Sequence, residues 1–204
     1  MSVKVKICGI TTPEDGLMAV QAGADALGLM FYEPSPRYVT LEVATAISKS
    51  LPPLVSRVGV FVNAEKEFVQ QALEMCSLDV LQFHGTESPE YCSSFGRSWI
   101  KAFRIKDETS LEELGAYGDA SALLLDSYVK GAMGGTGEAF NWELAARVVG
   151  QGKPTFLAGG LNPDNAAQAV QEVAPYALDV SSGVESSPGV KNAAKVEAFL
   201  KAVK

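Results

Sequence analysis

The chain has 204 residues, 47% of them hydrophobic and 20% charged, without a long low-complexity tract, so it is expected to form one ordered domain over 1–204 rather than two. A net charge of −7 argues against a nucleic-acid groove, although backbone amides can still hold a small anion. Three cysteines, odd in number and without CxxC spacing, suggest neither a disulfide framework nor a zinc site and fit a reducing cytosol, and no stretch approaches the ~20 apolar residues that span a bilayer.

The first strand is predicted at 3–7, an alternating run closed by Cys8 before the turn Gly9-Ile10-Thr11-Thr12-Pro13. A thiol at a strand's carboxyl end can serve as nucleophile, metal ligand or base, or be a small buried hydrophobe. The second strand, 26–31, leads into Glu33-Pro34-Ser35-Pro36-Arg37, where two prolines restrict the guanidinium. Its planar fork suits a carboxylate, although an ordinary surface arginine would read the same. The third strand, 57–62, ends at Asn63 and precedes a helix with Phe68, Val69, Ala72, Leu73 and Cys76 on one face. The fourth, 80–83, brings Gln82 and the single histidine, His84, to a strand exit, where a structural or substrate-orienting role suits His84 better than proton transfer.

The fifth strand, 99–103, is followed by the weakest unit, with only a short helix near 111–114. The sixth, 122–126, is continuously apolar up to Asp126, as in strands covered on both faces. A carboxylate there can be held partly neutral, or can cap a loop. Three glycine-bearing segments come late: 131–137, which includes Gly134 and Gly135; Gly159 and Gly160 after a strand at 154–158; and Ser181, Ser182 and Gly183 after a strand at 178–181. Such loops bring backbone N–H groups close to an anion, which points to phosphate, the alternative being tight turns alone. A closing helix is predicted over 191–203.

Eight strands alternating with helices predict a single-domain (β/α)8 TIM barrel, with the site on the loops after the strands. A doubly wound open sheet is the alternative, weakened because no GxGxxG follows the first strand and no GxxxxGK[ST] occurs. In a closed barrel the first and sixth strands are three steps apart, so Cys8 and Asp126 face each other across the mouth, placed for proton exchange with a molecule between them.

The motifs Lys6-Ile7-Cys8-Gly9-Ile10-Thr11, Ser35-Pro36-Arg37, Gly59-Val60-Phe61-Val62-Asn63, Leu81-Gln82-Phe83-His84-Gly85, Gly134-Gly135-Thr136-Gly137, Leu157-Ala158-Gly159-Gly160-Leu161 and Asp179-Val180-Ser181-Ser182-Gly183-Val184-Glu185 occur in this order along nearly the whole chain. Together they resemble the phosphoribosylanthranilate isomerase family of tryptophan biosynthesis. That resemblance implies an Amadori rearrangement of N-(5-phosphoribosyl)anthranilate, a small phosphorylated substrate, without cofactor or metal, by a cytoplasmic monomer or homodimer. It implies Cys8 as general base, Asp126 as general acid and Arg37 as the anthranilate carboxylate's partner. Gln82, His84, Asp179 and the late glycine and serine loops would complete the substrate contacts. The family pattern usually has leucine at Phe83 and aspartate at Asn192; the first is a conservative apolar change, and the second sits where asparagine caps a helix about as well.

The chemistry suits these roles, since ring opening needs a proton on the ribose ring oxygen and the resulting iminium acidifies C2–H. For Cys8 to act near neutral pH, its pKa is expected to lie below the ~8.5 of a free thiol. The competing expectations are the related sugar isomerase of histidine biosynthesis, which would need a second anion site, and a catalytically silent barrel that binds a phosphorylated metabolite. The Asn63-Ala64-Glu65-Lys66-Glu67 loop offers a second phosphate little.

Overall fold

Each stretch of parallel strand is followed by a segment that packs back on it, and the chain closes on itself. The computed structural model describes residues 2–105, 107–127 and 142–204. In chain order the elements are β1 (Lys4–Cys8), α1 (Pro13–Gln21), β2 (Ala26–Met30), α2 (Leu41–Ser50), β3 (Ser56–Phe61), α3 (Lys66–Cys76), β4 (Val80–Phe83), α4 (Pro89–Ser93) and β5 (Ser98–Ile105). A 3-10 helix (Glu108–Tyr117) leads to β6 (Ala122–Ser127), α5 (Trp142–Val149), β7 (Thr155–Ala158), α6 (Ala166–Val173) and β8 (Ala177–Val180). A 3-10 turn (Ser182–Val184), a hairpin of β9 (Glu185–Ser187) and β10 (Val190–Lys191), and α7 (Ala193–Val203) complete the chain. Strands β1 to β8 form a closed parallel barrel in sequence order, β8 pairing with β1. The fold is the (β/α)8 barrel expected, and closure rules out the open sheet.

Helix starts are set locally. Thr12, Thr40, Ser88 and Asn192 each accept a hydrogen bond from the backbone N–H three residues on, satisfying a donor the first turn leaves free. Pro13 and Pro89 occupy first-turn positions, where a missing N–H costs nothing. On α3, Val69, Ala72, Leu73 and Cys76 are buried against the barrel, with Phe68 packed beside them.

Strand periodicity divides the core in two. Outward residues such as Val5, Ile7, Leu81 and Phe83 meet the helices, while Ile100, Ala102, Ala122, Leu124 and Ala158 fill the barrel with Val80 and Phe156. Phe83 joins an aromatic layer, 6.2 Å from Phe61, 5.7 Å from Tyr91 and 5.8 Å from Phe95, which gives its larger ring a place.

Two expectations need correcting. The closing helix begins at Ala193 rather than 191, because Lys191 pairs with Glu185 in the hairpin and Asn192 supplies the cap. The weak fifth unit is 3-10 over Glu108–Tyr117, started by an Asp107–Ser110 capping box, and buries only Leu114. With so little apolar surface to seat, nothing requires an α-helical stripe there.

Candidate active site

Alternation along each strand decides what reaches the mouth. Cys8 shares inward parity with Lys6, and Asp126 with Ala122 and Leu124, so thiol and carboxyl both stand at the carboxyl-terminal rim, on strands three steps apart. Beside Asp126, His84 leaves β4, and its Nε2 lies 3.4 Å from Asp126 Oδ2 without the alignment of a hydrogen bond. Gln82, one step below His84, is 1% exposed and its Oε1 has no protein partner among the described residues.

Cys8 is nearly buried, and below it lies a charge that the sequence pattern does not announce. Lys6 is fully buried in the barrel and donates to both carboxylate oxygens of Asp179, each at 2.9 Å. Burial alone would discharge this ammonium, but Asp179 holds its pKa above the ordinary lysine value. Gly28 on the adjacent strand makes the room: a Cβ there would lie 2.7 Å from Cys8 Sγ and 3.1 Å from Lys6 Nζ.

Above Cys8 sits a second ionic group. Arg37 grips Glu185 with Nε at 2.8 Å and Nη2 at 2.6 Å, and Lys191 Nζ donates to the same carboxylate at 2.7 Å and to the Cys8 carbonyl at 2.6 Å. Burial works against the Glu185 carboxylate, yet hydrogen bonds from the two cations outweigh it and hold its pKa below the usual glutamate value. Two cations against one carboxylate leave one positive charge at the rim. Glu185 occupies Nε and Nη2 of Arg37, leaving Nη1 outside that pairing.

The thiol differs from expectation. Burial pushes the Cys8 pKa above that of an ordinary thiol, and the pull of Lys6 and Lys191 does not offset burial together with the nearby Asp179 charge. Burial and Asp179 together thus favour the neutral thiol over the thiolate.

On the far rim, Gly159 and Gly160 both take positive φ, 86° and 65°, where glycine avoids the cost of a Cβ. A Cβ on Gly160 would meet nothing within 4 Å, whereas one on Gly183 would collide with the Leu161 carbonyl, so the loops after β7 and β8 press together at Gly183. Ser182 begins the 3-10 turn, and the Ser181 hydroxyl is buried without a protein partner among the described residues. Asp179 is placed in the barrel interior with both oxygens on Lys6. Gly134 and Gly135 lie outside the described residues. Among the described residues, no group of three or more His, Cys, Asp or Glu side chains is placed to hold a metal ion.

Residues 5–202 match the family described as N-(5'phosphoribosyl)anthranilate (PRA) isomerase. The chain belongs to the phosphoribosylanthranilate isomerase family. Family membership makes it an isomerase of tryptophan biosynthesis. The N-(5'-phosphoribosyl)anthranilate isomerase of Citrifermentans bemidjiense is 56% identical over 197 residues, 97% of this chain and 95% of its own. The crystal structure of phosphoribosyl anthranilate isomerase from Thermotoga maritima superposes with a TM-score of 0.92 at 41% identity, covering 98% of both chains. A phosphoribosyl anthranilate isomerase in complex with reduced 1-(o-carboxyphenylamino)-1-deoxyribulose 5-phosphate superposes at 0.89 with 39% identity, again over 98% of both chains. Within this isomerase family the residues that pattern alone passed over are Lys6, Gly28, Glu185 and Lys191. A lysine at inward parity in a buried strand was the available signal, because an interior ammonium requires an inward carboxylate on a neighbouring strand.

Proposed function

We propose that the chain converts N-(5'-phosphoribosyl)anthranilate to 1-(2-carboxyphenylamino)-1-deoxy-D-ribulose 5-phosphate, with Asp126 as general acid and Cys8 as general base. The observation that carries these roles is the placement of both groups at one rim of the barrel, facing a common mouth. Asp126 gives its proton to the ribose ring oxygen as the C1–O bond breaks, leaving an iminium at C1 and a free hydroxyl at C4. The C2 proton, now acidic, passes to Cys8 as thiolate, and the electron pair forms the C1–C2 double bond of an enolamine. Proton return to C1 and loss of the proton from the C2 hydroxyl give the ketone. The positive charge of bound substrate and iminium favours thiolate over thiol, the thiol proton being released to bulk water before C2 is deprotonated.

Arg37 Nη1 takes the anthranilate carboxylate, with Gln82 and His84 orienting the sugar and His84 steadying Asp126. Gly134, Gly135, Gly159, Gly160, Ser181, Ser182 and Gly183 take the phosphate. The enzyme works in the cytosol, in keeping with three unpaired cysteines, and no described helix is long and apolar enough to cross a membrane.

A homodimer is the assembly favoured. Leu54 is 95% exposed beside a cavity of about 440 Å³ at the amino-terminal barrel face, and the T. maritima relative is dimeric. Sedimentation should give twice the chain mass; a monomer at micromolar concentration rejects the dimer.

Activity is tested by following the fluorescence of freshly made phosphoribosylanthranilate with the purified protein. Consumption is expected. Turnover only of the two-phosphate substrate of histidine biosynthesis, or phosphate binding without turnover, would overturn the assignment.

A further inference from the structure

We propose that Lys6 and Asp179 are positioning residues of the isomerisation, a buried charge pair whose opposed signs set how readily the Cys8 thiol ionises, Asp179 acting through Lys6 rather than by touching the substrate. The proposal presupposes that Cys8 is the base, as assigned above.

The first ground is where the pair sits. Lys6 has no exposed surface and Asp179 is 8% exposed, in a barrel whose interior also holds Ile100, Ala102, Ala122, Leu124 and Ala158 and the uncharged Gln82. Replacing a buried ion pair with apolar residues of similar volume is often neutral or stabilising, so stability is a poor reason for keeping one here. The second ground is adjacency. The thiol and the ammonium flank the same notch, and only the absence of a side chain at Gly28 leaves room for both. A side chain there would separate the charge from the sulfur.

The third ground is the balance of charges around the sulfur. From β1 it meets Lys6, and from β8 Asp179. Lys191 of the hairpin and Arg37 of the loop after β2 also act on it electrostatically, both held by Glu185. Asp126 and His84 face it across the mouth, and β2 itself contributes only Gly28. Arg37 and Lys191 are both engaged by Glu185, and of the two lysines acting on the thiol Lys6 pulls the harder. With Asp179 present its ammonium is neutralised at two oxygens; without Asp179 it is a full unpaired charge beside the thiol. The same ordering appears in the thiol's ionisation, which burial opposes most, Lys6 favours and Asp179 opposes.

The test measures iodoacetamide alkylation of Cys8 against pH, read from the mass of the Cys8 peptide, so that Cys76 and Cys92 do not interfere. Asp179→Asn should move the alkylation curve to lower pH and Lys6→Met to higher pH, each unit of movement changing the rate at fixed pH by about tenfold. The acid limb of kcat/KM should follow in the same directions. Opposite movement is what a merely structural role cannot produce, because loosened packing would shift both variants alike. Movement in one direction, or none, overturns the proposal.

So does a rise of more than about tenfold in the Kd of the reduced product analogue for Asp179→Asn with an unmoved curve, since that marks a substrate contact. Should a single variant fail to fold, Lys6→Met/Asp179→Leu removes both charges at similar volume. Its curve should move upward, because the pull of Lys6 exceeds the push of Asp179, with analogue affinity within about threefold of wild type; an unmoved curve overturns the proposal. Alkylation requires no turnover. Failure of the isomerase assignment, seen as no consumption of phosphoribosylanthranilate by the wild type, is therefore a separate result.

Discussion

Alanine at Cys8 is expected to lower kcat by ~10²–10⁴-fold while the affinity for the reduced product analogue stays within about threefold. In the proposed mechanism the sulfur takes the C2 proton, whereas Arg37 and the loops holding Gly159, Gly160, Ser182 and Gly183, proposed to hold the substrate, contribute other side chains and backbone groups. Arg37 remains fixed by Glu185, and Lys191 still donates to the Cys8 backbone carbonyl, which alanine also carries. Serine should do no better than alanine, because a hydroxyl is far weaker than a thiol as an acid and leaves no useful base near neutral pH. Asp126→Asn should show the same split, losing the ring-opening proton while keeping the shape of the side chain. The Cys8→Ala/Asp126→Asn double variant should fall well short of the product of the two losses, since the steps fail in series. Rates and analogue titrations on the four proteins decide the matter. A Cys8→Ala enzyme within about tenfold of wild-type kcat removes Cys8 from the base role and leaves the thiol as packing.

The same contrast separates what could be read along the chain from what could not. Cys8 and Asp126 were legible because each ends a run whose hydrophobic pattern is local: alternation in 3–7 and continuous burial across Ala122, Leu123, Leu124 and Leu125. Strands could be placed to within a residue or two for that reason. The ionic groups around Cys8 were not legible as groups, since Lys6 meets Asp179 across 173 residues and Arg37 meets Glu185 across 148. No short-range pattern encodes such pairings. The hairpin carrying Glu185 and Lys191 is likewise too short and too polar to show a strand period, and Lys191 lies against the run that becomes α7. The expectation of a lowered thiol pKa failed for the same reason. Its sign depends on burial and on Asp179, both of which exist only after folding.

Glutamine at Glu87 is expected to cost the fold ~3–5 kcal/mol, the largest stability loss foreseen for a single polar substitution. Lys101 is 3% and Glu87 2% exposed at their side chains, 2.8 Å apart, on the helix-facing side of β5. Lys101 also donates to the Gly85 carbonyl at 2.7 Å, and Glu87 accepts from the backbone N–H groups of Asn63 at 2.8 Å and Gly85 at 2.9 Å. An amide in place of the carboxylate still offers one oxygen but leaves the ammonium buried without a countercharge. For a chain of this length the loss corresponds to a fall in Tm on the order of 10 °C. Adding Lys101→Met should restore much of it, because the buried charge is gone while the glutamine oxygen still serves a backbone amide. A double-mutant cycle by thermal and urea unfolding reads this coupling directly, and equal destabilisation with and without Lys101→Met would show that the ionic pair is not its source. The functional consequence runs through geometry. Asn63, in the left-handed region at φ 49°, accepts from Thr86 N–H at 2.7 Å, so the ends of β3 and β4 are joined by this cluster. His84 sits in the segment so joined, beside Asp126. Below its lowered Tm the Glu87→Gln protein should therefore lose less than about tenfold in kcat, far less than Cys8→Ala, because the cluster places only His84, a neighbour of the proposed acid.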